Sequence, residues 1–215
     1  MIENEKRQKQ TDMETFSFLY KNKNYKQCVE FINSHLMDLK LIEITLRDSS
    51  DEALIYFANN LNTFTMLRIF YCNCIVNDIN NRKRIEFILK INIQKYLWPT
   101  IKLLPIEYTH FLLDQKVKIY GKHLLFTIKH NRSDIFYLLF DKPVFKDDKK
   151  RDENKINRSF LTYSILYKNK DIALFLINKI GLKNVDIDPL YKMANEEMKP
   201  FVDEILKQKI SLIKS

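Results

Sequence analysis

The sequence predicts an all-α protein, a helix-turn-helix repeat array of the α-solenoid type with no significant β-sheet, and three observations carry that prediction. Glycine is nearly absent: only Gly121 and Gly181 occur among 215 residues. The tight hairpins of β-rich folds need φ > 0, and this chain has almost none of the residue that supplies it. Apolar residues recur at three- and four-residue spacing over most of the length, the period of a helix that buries one face. Finally, a short polar turn centred on asparagine returns between paired helical stretches, as "SFLYKNKN" at 17–24 and again as "SILYKNKD" at 164–171.

The elements follow in order. Residues 1–10, "MIENEKRQKQ", read as a polar N-terminal tail, and a helical hairpin array is expected over 11–141. Residues 11–21 and 24–36 form the first pair, with Phe16, Leu19 and Tyr20 on one helix and Cys28, Val29, Phe31 and Ile32 on the next. Ser49 followed by Glu52 predicts a capping box for a helix through "EALIYFANNL", with Asn59 and Asn60 as terminators. A long buried helix is expected from Thr63. "INN" separates it from "NRKRIEFILKI", whose Ile85, Ile88 and Leu89 share a face. Pro99 sets a bend in "KYLWPTIKLL", and Pro105 opens the next helix, where a missing N–H costs nothing. Helices over 122–130 and 134–141 lead to a charged loop, 142–158: from Asp141 to Arg158 the chain carries seven cations and five anions and no periodicity. C-terminal helical repeats over 159–215 complete the chain, with helices over 160–168 and 171–180, a short one over 188–194, and a last one that starts near Pro200.

Superposing the stretches on Asn22, Asn131 and Asn169 exposes a shared grammar: an apolar helix end, the asparagine, one to three polar residues, and a helix with paired large apolar residues. The asparagines are 109 and 38 residues apart, and thirty-odd residues per helix-turn-helix is the spacing of α-solenoids. Asparagine accepts the left-handed conformation that ends a helix, second only to glycine. It is therefore expected to reverse the chain at these three positions.

Residues 121–215 resemble the ankyrin repeat. Leu124, Thr127, Ile128, Asn131, Asp134, Ile135, Leu138 and Leu139 follow its order, as do Ile165, Leu166, Asn169, Asp171, Ile172, Leu176 and Ile177, with Gly181 where a unit closes. The Thr-Pro-Leu-His opening is absent, and Ile, Leu and Phe replace most of the small residues of the first helix. Residues 11–36 resemble the same unit weakly, and a tetratricopeptide unit equally. The resemblance implies a binding scaffold.

Chemistry-bearing motifs are not found. Cys72 and Cys74 stand two apart on a helical stretch and face different ways, which suits buried thiols better than a metal. His35, His110, His123 and His130 lack a ligand spacing. The expectation is no enzyme, no metal and no cofactor. Lys and Arg number 36 against 27 acids, a formal charge of +9 that attracts anionic partners. The candidate anion or partner contacts are Arg82, Lys83 and Arg84 at a helix start, and Lys146, Lys149, Lys150 and Arg151 in the charged loop. A partner protein is the expected ligand, with RNA or a ribonucleoprotein as the alternative. No signal peptide and no apolar run of the roughly 18 residues that a spanning helix needs are found, so a cytoplasmic or nuclear location without membrane contact is the expectation.

Overall fold

The residues that the computed structural model describes, 2–34, 50–71, 79–140 and 153–214, hold thirteen α-helices, one 3₁₀ turn and no strand, the all-α array that scarce glycine predicts. Cα packing separates two units, Met1–Val117 and Lys118–Ser215. The first contains α1 (Ile2–Lys21), α2 (Tyr25–Ser34), α3 (Asp51–Asn60), α4 (Thr63–Tyr71), α5 (Ile79–Ile91), α6 (Ile93–Leu103) and α7 (Ile106–Asp114). The second contains α8 (Gly121–Lys129), α9 (Ser133–Phe140), α10 (Glu153–Leu166), α11 (Lys170–Ile180), a 3₁₀ turn (Leu182–Asn184), α12 (Ile187–Met193) and α13 (Lys199–Lys214). The helices α8 and α9, grouped by the sequence reading with the N-terminal array, belong to this second unit.

Several boundaries differ from the expectation for identifiable reasons. Residues 2–10 are helical and continuous with α1, not a tail. They lack an apolar stripe, but their Glu, Lys, Arg and Gln are good helix formers. The cap of α3 is Ser50, whose Oγ accepts the Ala53 amide at 3.3 Å, while Ser49 lies outside the described residues. "INN" at 79–81 forms the first turn of α5 instead of a break. The end of the expected charged loop, 153–158, is helical as the start of α10, and Asn157 there is buried. Pro99 lies inside α6, where its missing donor and ring cost about 3 kcal/mol in an isolated helix. Its burial beside Tyr96, Thr100 and Ile101 belongs to the packing that offsets this.

Each unit stacks alternate helices in two layers. In the first, α3 packs on α5 and α5 on α7, while α4 packs on α6. The second repeats the scheme, with α8 on α10 and α10 on α12 in one layer and α9 on α11 in the other. Such stacking requires helices that are apolar on more than one side. Phe57, Ile85, Ile88, Leu89 and Leu97 are fully or almost fully buried in the first unit, as are Leu124, Phe136, Ile165 and Leu176 in the second, each contributing about 1.5–3 kcal/mol. Tyr96 of α6 also donates its hydroxyl to the Ala58 carbonyl of α3 at 2.9 Å, deep in the first unit.

The turns that join the hairpins are alike in detail. After α1, α7, α8 and α10 one residue takes positive φ: Lys23 at 53°, Lys116 at 59°, Asn131 at 53° and Lys168 at 61°. At each turn this residue's amide donates three residues back, and the next amide donates five back, as in Lys168 to Ile165 and Asn169 to Ser164. This is the Schellman closure of a helix. Asn131 therefore reverses the chain as expected, whereas Asn22 and Asn169 do not. The left-handed position beside them belongs to Lys23 and Lys168. Asn24, Asn92, Asn169 and Asn195 instead cap a following helical turn, each Oδ1 accepting the amide three residues on.

The literal echo is thus out of register by two residues. Lys23 corresponds to Lys168, although the matching letters pair Lys21 with Lys168. In the correct register the turns of the second unit, Asn131 and Lys168, lie 37 residues apart. Gly181 closes α11 at φ 81° and ψ 126°, a region open to glycine and strained for a side chain.

A lysine in left-handed backbone costs about 1–2 kcal/mol, and glycine there loses roughly 0.5–1 kcal/mol of that gain to chain entropy. The expected outcome for Lys23→Gly is a net stabilisation of about 0.5–1 kcal/mol. Urea denaturation checks it, and a lowered midpoint would contradict the assigned turn.

Candidate functional site

Of the candidate cations, Arg82, Lys83 and Arg84 are the fourth to sixth residues of α5, one turn beyond the helix start where they were expected. Arg82 Nε lies 3.0 Å from Glu86 Oε1, one turn on, so part of its charge is spent within its own helix. Lys83 is exposed and Arg84 half-buried. Lys146, Lys149, Lys150 and Arg151 lie outside the described residues, as do His35, Cys72 and Cys74.

The structure concentrates charge differently from what the clusters imply. Residues Lys118–Ser215 carry 20 Lys and Arg against 13 Asp and Glu, a surplus of 7, whereas Met1–Val117 carry 16 against 14. Seven of the nine formal positive charges in excess therefore belong to the second unit.

In that unit the turns of successive hairpins are joined. Asn169 caps α11 by accepting the Ile172 amide at 3.1 Å, and its Nδ2 donates to Asn131 Oδ1 at 2.9 Å. One side chain thus serves the start of its own helix and the turn of the preceding hairpin. It is almost fully buried, where both bonds matter because an unmet polar group there is costly. Lys168 Nζ extends the contact the other way, 2.8 Å from Glu197 Oε2 beyond α12.

The turn edge also presents aromatic and apolar side chains in register. His130, Tyr167 and Met193 each stand two residues before the residue whose carbonyl opens the next helical turn, namely Arg132, Asn169 and Asn195. One helical turn back on α8 and α10 are Phe126 and Tyr163. The Phe126 and His130 rings approach to 4.3 Å, and the Tyr163 and Tyr167 rings lie nearly parallel, 10° apart in plane with centroids at 6.4 Å. Tyr163, Leu166, Tyr167 and Met193 are each between 37% and 44% exposed. Tyr163, Leu166 and Tyr167 share one face by their spacing of three and four residues, and exposed large apolar groups that cluster in this way are informative. Sequence reasoning missed this row, and only the cap register reveals it.

The titratable groups that burial perturbs serve the fold. Burial pushes the Cys28 thiol up to about 11, so it is protonated and a poor nucleophile near neutrality. His123 is fully buried, and its Nδ1 accepts the Tyr120 amide at 2.8 Å, a bond that requires an unprotonated Nδ1. Burial, aided by the Lys122 charge, pushes it down to about 4. Among the described residues no group of three or more His, Cys, Asp or Glu is placed to hold a metal ion, and no helix is long and apolar enough to cross a membrane.

No protein-family model, curated protein or solved structure matches the chain. What the geometry defines is an all-α helical array with a basic second unit and an aromatic turn edge.

Two measurements check this arrangement. Replacing Asn169 by Ala removes the cap and the link to Asn131, and is expected to cost about 1–2 kcal/mol. Asn169→Asp keeps the acceptor but loses the donor to Asn131, and should still be less stable than the wild type in the same denaturation assay; wild-type stability in that variant would contradict a role for the link. For His123 the folded pKa lies below the unfolded value near 6.5, so the unfolded chain binds its proton first as pH falls. Stability from this group is complete above about pH 6.5 and declines toward pH 4, by about 2 kcal/mol at pH 5. His123→Gln should flatten the stability profile across that window, as thermal unfolding at several pH values would record.

Proposed function

We propose that this protein is a non-enzymatic interaction or adaptor protein that binds a partner macromolecule, most naturally another protein, on a helical-repeat surface. The observation that carries the reading is the joined register of the second unit. Equivalent turns 37 residues apart are tied by the Asn169–Asn131 hydrogen bond, which holds neighbouring hairpins at a fixed offset. Stacked units of this kind present extended surfaces suited to partner binding.

Within that reading the second unit is a degenerate ankyrin-like array. The Thr-Pro-Leu-His opening is missing, yet the segment Tyr120–His123 keeps the histidine, bonded back to the residue that precedes α8. Gly181 closes α11 with a positive φ, in keeping with the closing glycine of such a unit. A cytoplasmic or nuclear setting is part of the same proposal.

The surplus of 7 cations in the second unit favours a second reading, an RNA- or ribonucleoprotein-associated factor on the same scaffold. Salt separates the two, because phosphate contacts release counterions and log K falls linearly with log salt. Purification of the native protein from its own cells at physiological salt is the test. The expected outcome is a protein retained in fixed stoichiometry after nuclease treatment. Loss of every partner on nuclease treatment would favour the second reading, and turnover of a substrate without any retained macromolecule would overturn both.

A further inference from the structure

We infer that the turn edge of the second unit is the docking edge of this molecule, and that its occupant is an acidic peptide segment carrying apolar side chains; the inference rests on the adaptor reading above. The exposed apolar part is Tyr167 and Met193 in cap register, widened by Tyr163 and Leu166 of α10 and continued by the half-buried ring of His130. Along α10 and its closing turn these exposed residues, 163, 166 and 167, recur at i, i+3 and i+4, and the Tyr167 amide still donates to the Tyr163 carbonyl, so they form one stripe on one helix face. The stripe lies in the middle of the layer formed by α8, α10 and α12. Exposed apolar groups at the end of a stack can be covered by a further repeat; here both neighbouring repeats are already in place.

Charge decides what kind of segment fits. Around the row, Arg132 pairs with Asp134, Lys168 with Glu197, and Lys199 with Glu196. Those contacts balance. Beyond them the same edge carries Lys129, Lys170 and Lys192, all exposed, against the single carboxylate of Asp171. The surplus is thus positive and interleaved with the apolar stripe, which complements a segment that alternates acidic and apolar side chains.

A nucleic acid fits the edge less well. Leu166 and Met193 offer no flat face for a base to stack on, and a single strand prefers a series of rings. The exposed tyrosines serve a peptide directly, since large rings with two side-chain torsions bury much area at low entropic cost.

Fluorescence anisotropy of the full chain with three labelled probes tests the inference: the copolymer poly(Glu,Tyr), poly(Glu), and an oligo-uridine. The wild type should bind poly(Glu,Tyr) more tightly than poly(Glu). The double substitution Tyr163→Ala, Tyr167→Ala should weaken poly(Glu,Tyr) binding about fivefold or more with little change in poly(Glu) binding. Because Leu166 and Met193 are also exposed, Leu166→Ser with Met193→Ser provides a second variant should the tyrosine pair unfold. Circular dichroism melts identify which variants remain native. Folded variants that bind poly(Glu,Tyr) like the wild type would overturn the docking edge while leaving the adaptor reading to its own purification test. So would preferential binding of oligo-uridine that the same substitutions weaken.

Discussion

Reversing a helix without glycine is the constraint on which this structure depends. With two glycines in the chain, every other hairpin must close on a residue that carries a side chain. Four of the turns do so with one backbone pattern, placing lysine or asparagine in left-handed backbone and returning two amides to the preceding helix. The cost of each left-handed side chain, about 1–2 kcal/mol, is offset by satisfied carbonyls, and after Lys23 and Lys168 also by the asparagine that caps the next helix. Because the closures are alike, successive helices in the second unit leave their turns in similar directions, and alternate helices can stack in two layers.

That stacking connects the turns to function. A helix packed on its next-but-one neighbour buries two faces and leaves the turn edge and the outer faces to solvent. In the second unit the edge is reinforced by a buried amide that joins two hairpins and by an ion pair to the following segment. It is also where exposed tyrosine, leucine and methionine side chains line up among cations. The features that hold the hairpins in register are thus interleaved with those available to a partner.

The sequence made the fold class and many helix faces legible because burial imposes a period. Ile85, Ile88 and Leu89 are buried together as their spacing requires, and Gly181 stands at a positive φ. What stayed hidden has physical reasons. Asparagine suits both left-handed turns and N-caps, so the letters alone do not say which role Asn169 plays, and the echo of "LYKNK" displaced the register by two residues. The first half of α1 has helix-forming residues but no apolar stripe. The docking row combines His130, Tyr167 and Met193, three different side chains at unequal intervals of 37 and 26 residues, which no repeat of identity or period marks. The cations at 82–84 were visible as a cluster, but the pairing of Arg82 with Glu86 within α5 depends on where that helix begins.

Native-state hydrogen exchange at the turn amides tests the central claim most directly. In each closure the amide after the left-handed residue donates five residues back, at Asn24, Val117, Arg132 and Asn169. If these closures determine the hairpins, the Arg132 and Asn169 amides should exchange only through opening of the second unit, with protection approaching that of core amides such as Ile172 and Leu176. Exchange of Arg132 and Asn169 near the rate of an unstructured chain, while the helices on either side stayed protected, would contradict the account.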